Sequence, residues 1–295
     1  MNRGIWYALG AYVTWGLFPI YWKFLAGVPA LQLLGHRIVW SFLLLTGVLL
    51  LARQWKSLRA SLTWRVFAIY TLAAVLIGVN WLTYVWAIGA KFIVETSLGY
   101  YINPLLTVLL GVVILRERLR PLQWIPIALA AAGVIYLTIT YGHLPWIALT
   151  LAFTFGVYGL VKKLAPLGAF QGLTLETGIL FLPALAYLLF SEFNSTGAFL
   201  HSVPLIDLML VGAGLVTVFP LFLFASAAPR IPLTTIGVLQ YVNPTMQFLL
   251  GVLVYKEPFT HERLIGFGIV WIALLLYWLE GFLARRKAGA ITSSS

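Results

Sequence analysis

No charged side chain interrupts residues 5–22, and stretches of the same character recur to the end of the chain. A helix of about 20 residues crosses the roughly 30 Å hydrocarbon core of a bilayer. On that measure spans fall at 5–22, 31–51, 66–90, 92–115 and 122–140, then at 144–161, 172–190, 205–228, 231–255 and 264–284. Turn chemistry separates them, as in Gly27-Val28-Pro29, Tyr141-Gly142-His143-Leu144-Pro145 and Ala228-Pro229-Arg230-Ile231-Pro232. The connections are too short for an extramembrane domain, and the longest polar one covers 191–204. Of 295 residues, 62% are hydrophobic and 9% charged, against roughly 25% charged in soluble domains. No water-facing surface can be built from so few charges, so the expected partner of the outer surface is the lipid bilayer. The expected fold is an all-α polytopic membrane protein of ten transmembrane helices.

The first stretch is longer than a signal-peptide core and no small-residue cleavage site follows it, so it is expected to be retained as a span. The expected location is the cytoplasmic (inner) membrane of a bacterium or archaeon. The chain contains no cysteine, which excludes disulfides and thiolate metal sites. A net charge of +11 raises the question of nucleic acid. The basic residues sit at helix ends and form no single stripe, which argues against it. They encode orientation instead. Arg3, the basic residues of 53–65 and 116–120, Lys162, Lys163, Arg230 and those of 285–287 fall on one side. Lys23, Lys91, Lys256 and Arg263 fall on the other, and Arg37 lies within a span. Both termini are then expected to be cytoplasmic.

A shift of 140 residues lays the second half of the chain on the first. Tyr101-Ile102-Asn103-Pro104 meets Tyr241-Val242-Asn243-Pro244, Leu109-Leu110-Gly111-Val112 meets Leu249-Leu250-Gly251-Val252, and Glu117 meets Glu257. The same shift lays Thr14-Trp15-Gly16 on Thr154-Phe155-Gly156 and Lys23 on Lys163. The expected units are a first five-helix repeat at 1–140, a second at 141–284 and a cytoplasmic tail at 285–295. Five is odd, so the second repeat starts on the opposite side of the membrane and the repeats are inverted. Inverted repeats with a site between them suit alternating access, because exchanging the conformations of the two halves moves the opening from one face to the other.

The stretch Glu95-Thr96-Ser97-Leu98-Gly99-Tyr100-Tyr101-Ile102-Asn103-Pro104, the His36-Arg37 pair and Gly78-Val79-Asn80-Trp81 resemble the RarD-like branch of the EamA permeases, in the drug/metabolite transporter superfamily. The likeness runs nearly end to end. It implies a ten-helix, two-repeat exporter-type permease for amino acids, other metabolites or drugs.

Few residues can bind a substrate, and each has a structural alternative. Arg37 stands several residues inside span two, where a guanidinium must find partners or water, as a site residue or as half of a structural ion pair. His36 points about 100° away from it and is either a second contact or a packed polar group. Pro104 and Pro244 each remove an amide donor and free the carbonyl four residues back, at Tyr100 and Gln240. With Asn103 and Asn243 beside them, and Tyr101 and Tyr241 opening the two motifs, they mark a binding site between the halves or a pair of plain kinks. Asn80, Trp81 and Tyr84 fall together on span three and offer an amide and aromatic faces. Glu176, at the repeat position of His36, is a proton-carrying group or an interfacial charge. Asn103 and Asn243 are expected at the edge of a central cavity lined by spans one to four and six to nine. Arg37, ~9 Å deep, and Glu95, ~5 Å deep at 1.5 Å per residue, are expected to pair.

The expected function is a secondary-active or facilitative permease that exports a small organic molecule, amino-acid-like or drug-like, by alternating access, with proton coupling open. The alternative is an integral-membrane enzyme or sensor with a ligand pocket. Neither HExxH, Gly-x-Ser-x-Gly nor a phosphate-cradling loop occurs, and His36, His143, His201 and His261 lie on separate segments. No catalytic residue, metal or cofactor is therefore expected.

Overall fold

The computed structural model describes residues 2–90, 92–142, 144–254 and 261–292. The expectations for Lys91, His143, Lys256 and Glu257 lie outside the described residues. Every regular element among the described residues is helical. In order these are α1 (Arg3–Phe24), α2 (Ala30–Leu51), the short α3 (Trp55–Ser61), α4 (Trp64–Gly89), α5 (Ile93–Val113) and α6 (Trp124–Tyr141). Then come α7 (Trp146–Leu164), α8 (Ala169–Phe193), α9 (Pro204–Ala227), α10 (Leu233–Gln240), α11 (Val242–Leu249) and α12 (His261–Thr292). A 3₁₀ turn precedes α6, and a π turn at Leu250–Val254 follows α11.

Eight helical stretches among the described residues are long and apolar enough to cross a membrane. α1 is long enough at 22 residues, but its glycine, tyrosine and tryptophan dilute the apolar average. Within α12 the apolar stretch is the shorter 268–281, and the helix continues past residue 284 to Thr292, where a tail had been expected. The surface suits lipid: Leu51 is 87% exposed and Leu182 70%, and contiguous apolar surface of this kind would drive a water-soluble protein to associate.

Local chemistry sets several ends. The Asn2 side chain accepts the Gly4 amide at 3.0 Å to start α1, and the Thr63 hydroxyl accepts Val66 N–H at 3.2 Å to start α4. Gly142 closes α6 with φ 81°, a left-handed geometry that glycine takes without strain. The two Asn-Pro pairs behave differently. α5 runs unbroken through Pro104, whereas the equivalent stretch breaks at Tyr241 into α10 and α11, just before Pro244. The missing proline amide weakens both turns, and only the second separates into two helices.

The halves of the chain interleave. α1 packs on α9, α10 and α11; α2 on α8 and α9; α4 on α7 and α8; α5 on α7 and α10; and α6 on α12. Between lipid-solvated helices such contacts depend on close packing more than on hydrophobic drive, and two crossings bring backbones together. A Cβ at Gly214 of α9 would lie 2.6 Å from the Trp40 carbonyl carbon of α2, where Ser41 Oγ donates to Gly214 O at 3.2 Å. A Cβ at Gly237 of α10 would lie 2.7 Å from Pro104 O of α5. Backbone cannot yield as a side chain can. Gly214→Val and Gly237→Val are therefore expected to lose about 1–3 kcal/mol or more, seen as a lower thermal midpoint in detergent. Gly27→Ala, where a Cβ meets nothing within 4 Å, should leave the midpoint in place.

Candidate substrate cavity

One end of the bundle holds a cavity and the other is closed by charge pairs. The cavity lies among the later turns of α1 and α4, the early turns of α2, α5 and α7, and the α10–α11 break. It measures about 130 Å³, counted as the space that the centres of water molecules can occupy.

Arg37, half-buried, is its charged feature. The guanidinium carbon lies 4.7 Å from the ring centre of Trp81 and 5.0 Å from that of Trp22, a cation–π clamp from two helices. Arg37 Nε donates to Thr217 Oγ1 of α9 at 3.0 Å. Tyr84 and Tyr100 meet edge to face at 6.0 Å on the same wall. Asn80 Nδ2 donates to Leu151 O and Thr154 Oγ1, both at 2.9 Å, which ties α4 to α7. At the floor, Asn103 Oδ1 accepts from Thr107 at 3.3 Å, and Asn243 Oδ1 accepts from Gln247 Nε2 at 3.0 Å.

Of the expected site residues, Arg37, Asn80, Trp81, Tyr84, Asn103 and Asn243 line this cavity. The other five lie elsewhere. His36 is buried, takes the Trp40 indole N–H on Nδ1 at 3.3 Å and stacks near Phe199. Tyr101 and Tyr241 are buried in the cluster that α6 and α12 cover, with the Tyr241 hydroxyl donating to Tyr101 O at 3.3 Å. Glu95 does not pair with Arg37. It stands in the first turn of α5, and its Oε1 accepts the Ile147 amide at 2.7 Å, where the positive end of the α7 dipole holds the carboxylate away from the arginine. α8 and α9, expected among the walls, contribute no lining residue, although Thr217 of α9 anchors Arg37 from behind.

Glu176 belongs to the closed end. Its Oε1 is 2.6 Å from Lys162 Nζ, each side chain 3% exposed, and its Oε2 accepts the Tyr158 hydroxyl at 2.9 Å. Lys162 also sits 5.4 Å from the Tyr70 ring centre. The next residue, Lys163, donates to Ile231 O at 2.6 Å and lies 3.8 Å from Glu117 Oε1. The two Glu117 oxygens accept the Leu233 and Thr234 amides at 2.7 and 2.8 Å, capping α10. The last turn of α7 thus fastens α8 on one side and the α9–α10 turn on the other.

Sequence reasoning missed Tyr12, Trp22 and Gln247 of the lining, the side chains of Tyr100 and Gln240, whose carbonyls alone it had singled out, the Thr217 anchor and the Lys162 partner. Gln240 and Gln247 carried a signal, as uncharged polar residues flanking Asn243 in an apolar span. Lys162 was absorbed into the topogenic charge count, and Thr217 gave no signal in a span of many small residues.

A family model described as the EamA-like transporter family matches residues 2–139. The chain is similar to the uncharacterized transporter YojE of Bacillus subtilis (strain 168), 46% identical over 281 residues, which cover 94% of this chain and 93% of that one. It is 42% identical over 290 residues to Protein RarD of Streptomyces exfoliatus, covering 98% of this chain and 92% of that one. A solved crystal structure matches with a TM-score of 0.71 over 94% of this chain and 98% of its own, at 18% identity, which shows a common fold and no more.

The two charges, Glu176 and Arg37, should answer substitution differently. Glu176→Gln leaves Lys162 buried without its counter-charge and is expected to cost about 3–5 kcal/mol. Arg37→Met strands no carboxylate and loses one hydrogen bond and two ring contacts, about 1–3 kcal/mol. Thermal unfolding in detergent should rank Glu176→Gln well below Arg37→Met, with Lys162→Met/Glu176→Leu recovering much of the loss.

Proposed function

The chain belongs to the RarD-like branch of the EamA family of membrane transporters, in the drug/metabolite transporter superfamily, and from that premise we propose that it is a permease exporting a small organic molecule by alternating access, with the Arg37 cavity as its substrate site. The observation that carries this reading is a polar, aromatic cavity at one end of an apolar bundle whose other end is shut by Lys162–Glu176 and Lys163–Glu117.

In this reading the membrane is crossed ten times, by α1, α2, α4 to α9, the α10–α11 segment with its π turn, and α12, as two inverted five-helix repeats. Contacts between equivalent residues support the inversion: Trp15 and Phe155 rings meet at 5.7 Å, and Tyr241 bonds to Tyr101. Packing supports it too, since exchanging the halves turns the α1–α9 contact into α7–α4 and the α2–α9 contact into α8–α4, all of which occur. The basic-residue bias puts both termini in the cytoplasm of an inner-membrane protein. The cavity then faces out and the charge network faces in.

Transport requires the network to separate while the cavity end closes over the substrate. Amino-acid-like and drug-like molecules both suit aromatic walls with amide groups at the floor. A proton-coupled cycle is the second reading, because opening the closed end uncovers Glu176 and leaves its carboxylate to be neutralised. No nucleic-acid partner, cofactor or catalytic role enters the proposal.

The test is flux in proteoliposomes with a panel of labelled amino acids and aromatic drug-like compounds, with and without a proton gradient. At least one should move faster than through protein-free vesicles, and Trp81→Ala or Asn103→Ala should cut its rate ten-fold or more. The lipid-facing Leu182→Ala should not. Saturable binding without flux would instead favour a sensor.

A further inference from the structure

The cavity carries a fixed charge that no carboxylate answers among the described residues. Arg37 uses Nε on Thr217 and its faces on Trp22 and Trp81. Neither Nη donates to another described residue, so the outer edge of the guanidinium offers two parallel N–H donors. No aspartate, glutamate or histidine lines the cavity among the described residues. On the same lining two polar groups are more than nine-tenths buried without a protein partner. Gln240 Oε1, on a side chain 6% exposed, needs a donor, and the Tyr12 hydroxyl, on a residue 1% exposed, is unpaired. Both line the cavity. A buried acceptor left unpaired costs about 1–3 kcal/mol, which a ligand N–H or O–H would recover.

Resting on the permease reading, we propose that this site selects net-anionic molecules, binding a planar oxyanion on the free edge of Arg37 and a hydrogen-bond donor of the same molecule at Gln240, and that transport is therefore electrogenic and driven by the membrane potential. The guanidinium fork matches a carboxylate in two parallel hydrogen bonds. The rings of Trp15 and Phe155, packed edge to face at 5.7 Å, offer apolar surface on the same lining to the body of the ligand. A cation would meet Arg37 with no carboxylate to offset the repulsion. With no carboxylate or imidazole on the lining among the described residues, the proposal routes no proton through the substrate site. An inside-negative membrane supplies the direction: each 100 mV favours the outward side for a monoanion by about fifty-fold at equilibrium.

The probes are three molecules with one ring and different charge: N-acetylphenylalanine, an anion with an amide donor; phenylalanine, a zwitterion; and phenethylamine, a cation. Titration calorimetry on the full chain in detergent should show the anion binding at least ten-fold more tightly than the cation, with the zwitterion between. Arg37→Met should abolish that preference. Should Arg37→Met not fold, Arg37→Lys keeps the charge without the fork and should weaken the anion several-fold while keeping the order. Gln240→Leu should weaken N-acetylphenylalanine several-fold without changing the charge preference. In proteoliposomes a valinomycin-set potassium potential, positive on the receiving side, should accelerate N-acetylphenylalanine flux, and a pH gradient alone should not. Equal or tighter binding of phenethylamine, an Arg37→Met protein that retains the anion preference, or binding of none of the three at millimolar concentration overturns the proposal. Flux of the cation without the anion also overturns it while leaving the permease reading intact. Selective anion binding without any flux sinks the permease reading and leaves the selectivity standing.

Discussion

A charge inside hydrocarbon has to be met by another charge, a dipole or water, and the arrangement of this bundle follows from how each charge is met. Lys162 is met by Glu176 and two tyrosine rings, Lys163 by backbone carbonyls at Ala228 and Ile231 and by Glu117, and Glu95 by the Ile147 amide in the first turn of α7. These contacts pin α5, α7, α8, α9 and α10 to one another at fixed depths. Among the described residues Arg37 is met by a hydroxyl and two indole faces and by no carboxylate. The bundle is shut where charges pair and hollow where one does not.

A buried ion pair is seldom the most stable filling of its site, since a well-packed apolar pair of similar volume often does as well or better. Lys162–Glu176 occupies the positions that the 140-residue shift assigns to Trp22 and His36, on either side of the Arg37 region. In the first half those positions carry a ring of the cavity clamp and a packed imidazole. Positions that the shift pairs thus differ in their charges. In the proposed cycle that difference gives the two ends unequal closing strength, the inequality that a resting opening on one face requires.

Much of the architecture was legible in the sequence because hydrocarbon imposes a length and a polarity on each span, and 5–22, 31–51 and 205–228 reappear within a few residues as α1, α2 and α9. Arg37, Asn80, Trp81, Tyr84, Asn103 and Asn243, which line one cavity, could be singled out because polar groups in apolar spans are few. Partner choice was not. Glu95 and Arg37 stand at compatible depths, yet depth does not reveal that the start of α7 lies beside Glu95 and holds its carboxylate. Nor does the repeat position of Glu176 reveal that Lys162 on the preceding helix reaches it. Tyr101 and Tyr241 belong to the strongest sequence motif and turn away from the cavity, because successive residues on a helix point about 100° apart and the asparagines take the inward direction.

The central claim is that a single site is reached from opposite faces in turn, and the absence of cysteine from the chain makes it directly measurable. Thr96→Cys places a thiol on the cavity wall, and Thr177→Cys places one at the buried position equivalent to Arg37 in the second half. In sealed vesicles of known orientation, a membrane-impermeant maleimide should label Thr96→Cys from one face only. It should label Thr177→Cys from the other face only, and a condition that raises one rate should lower the other. Labelling of both positions from the same face, in protein that still transports, would contradict the account.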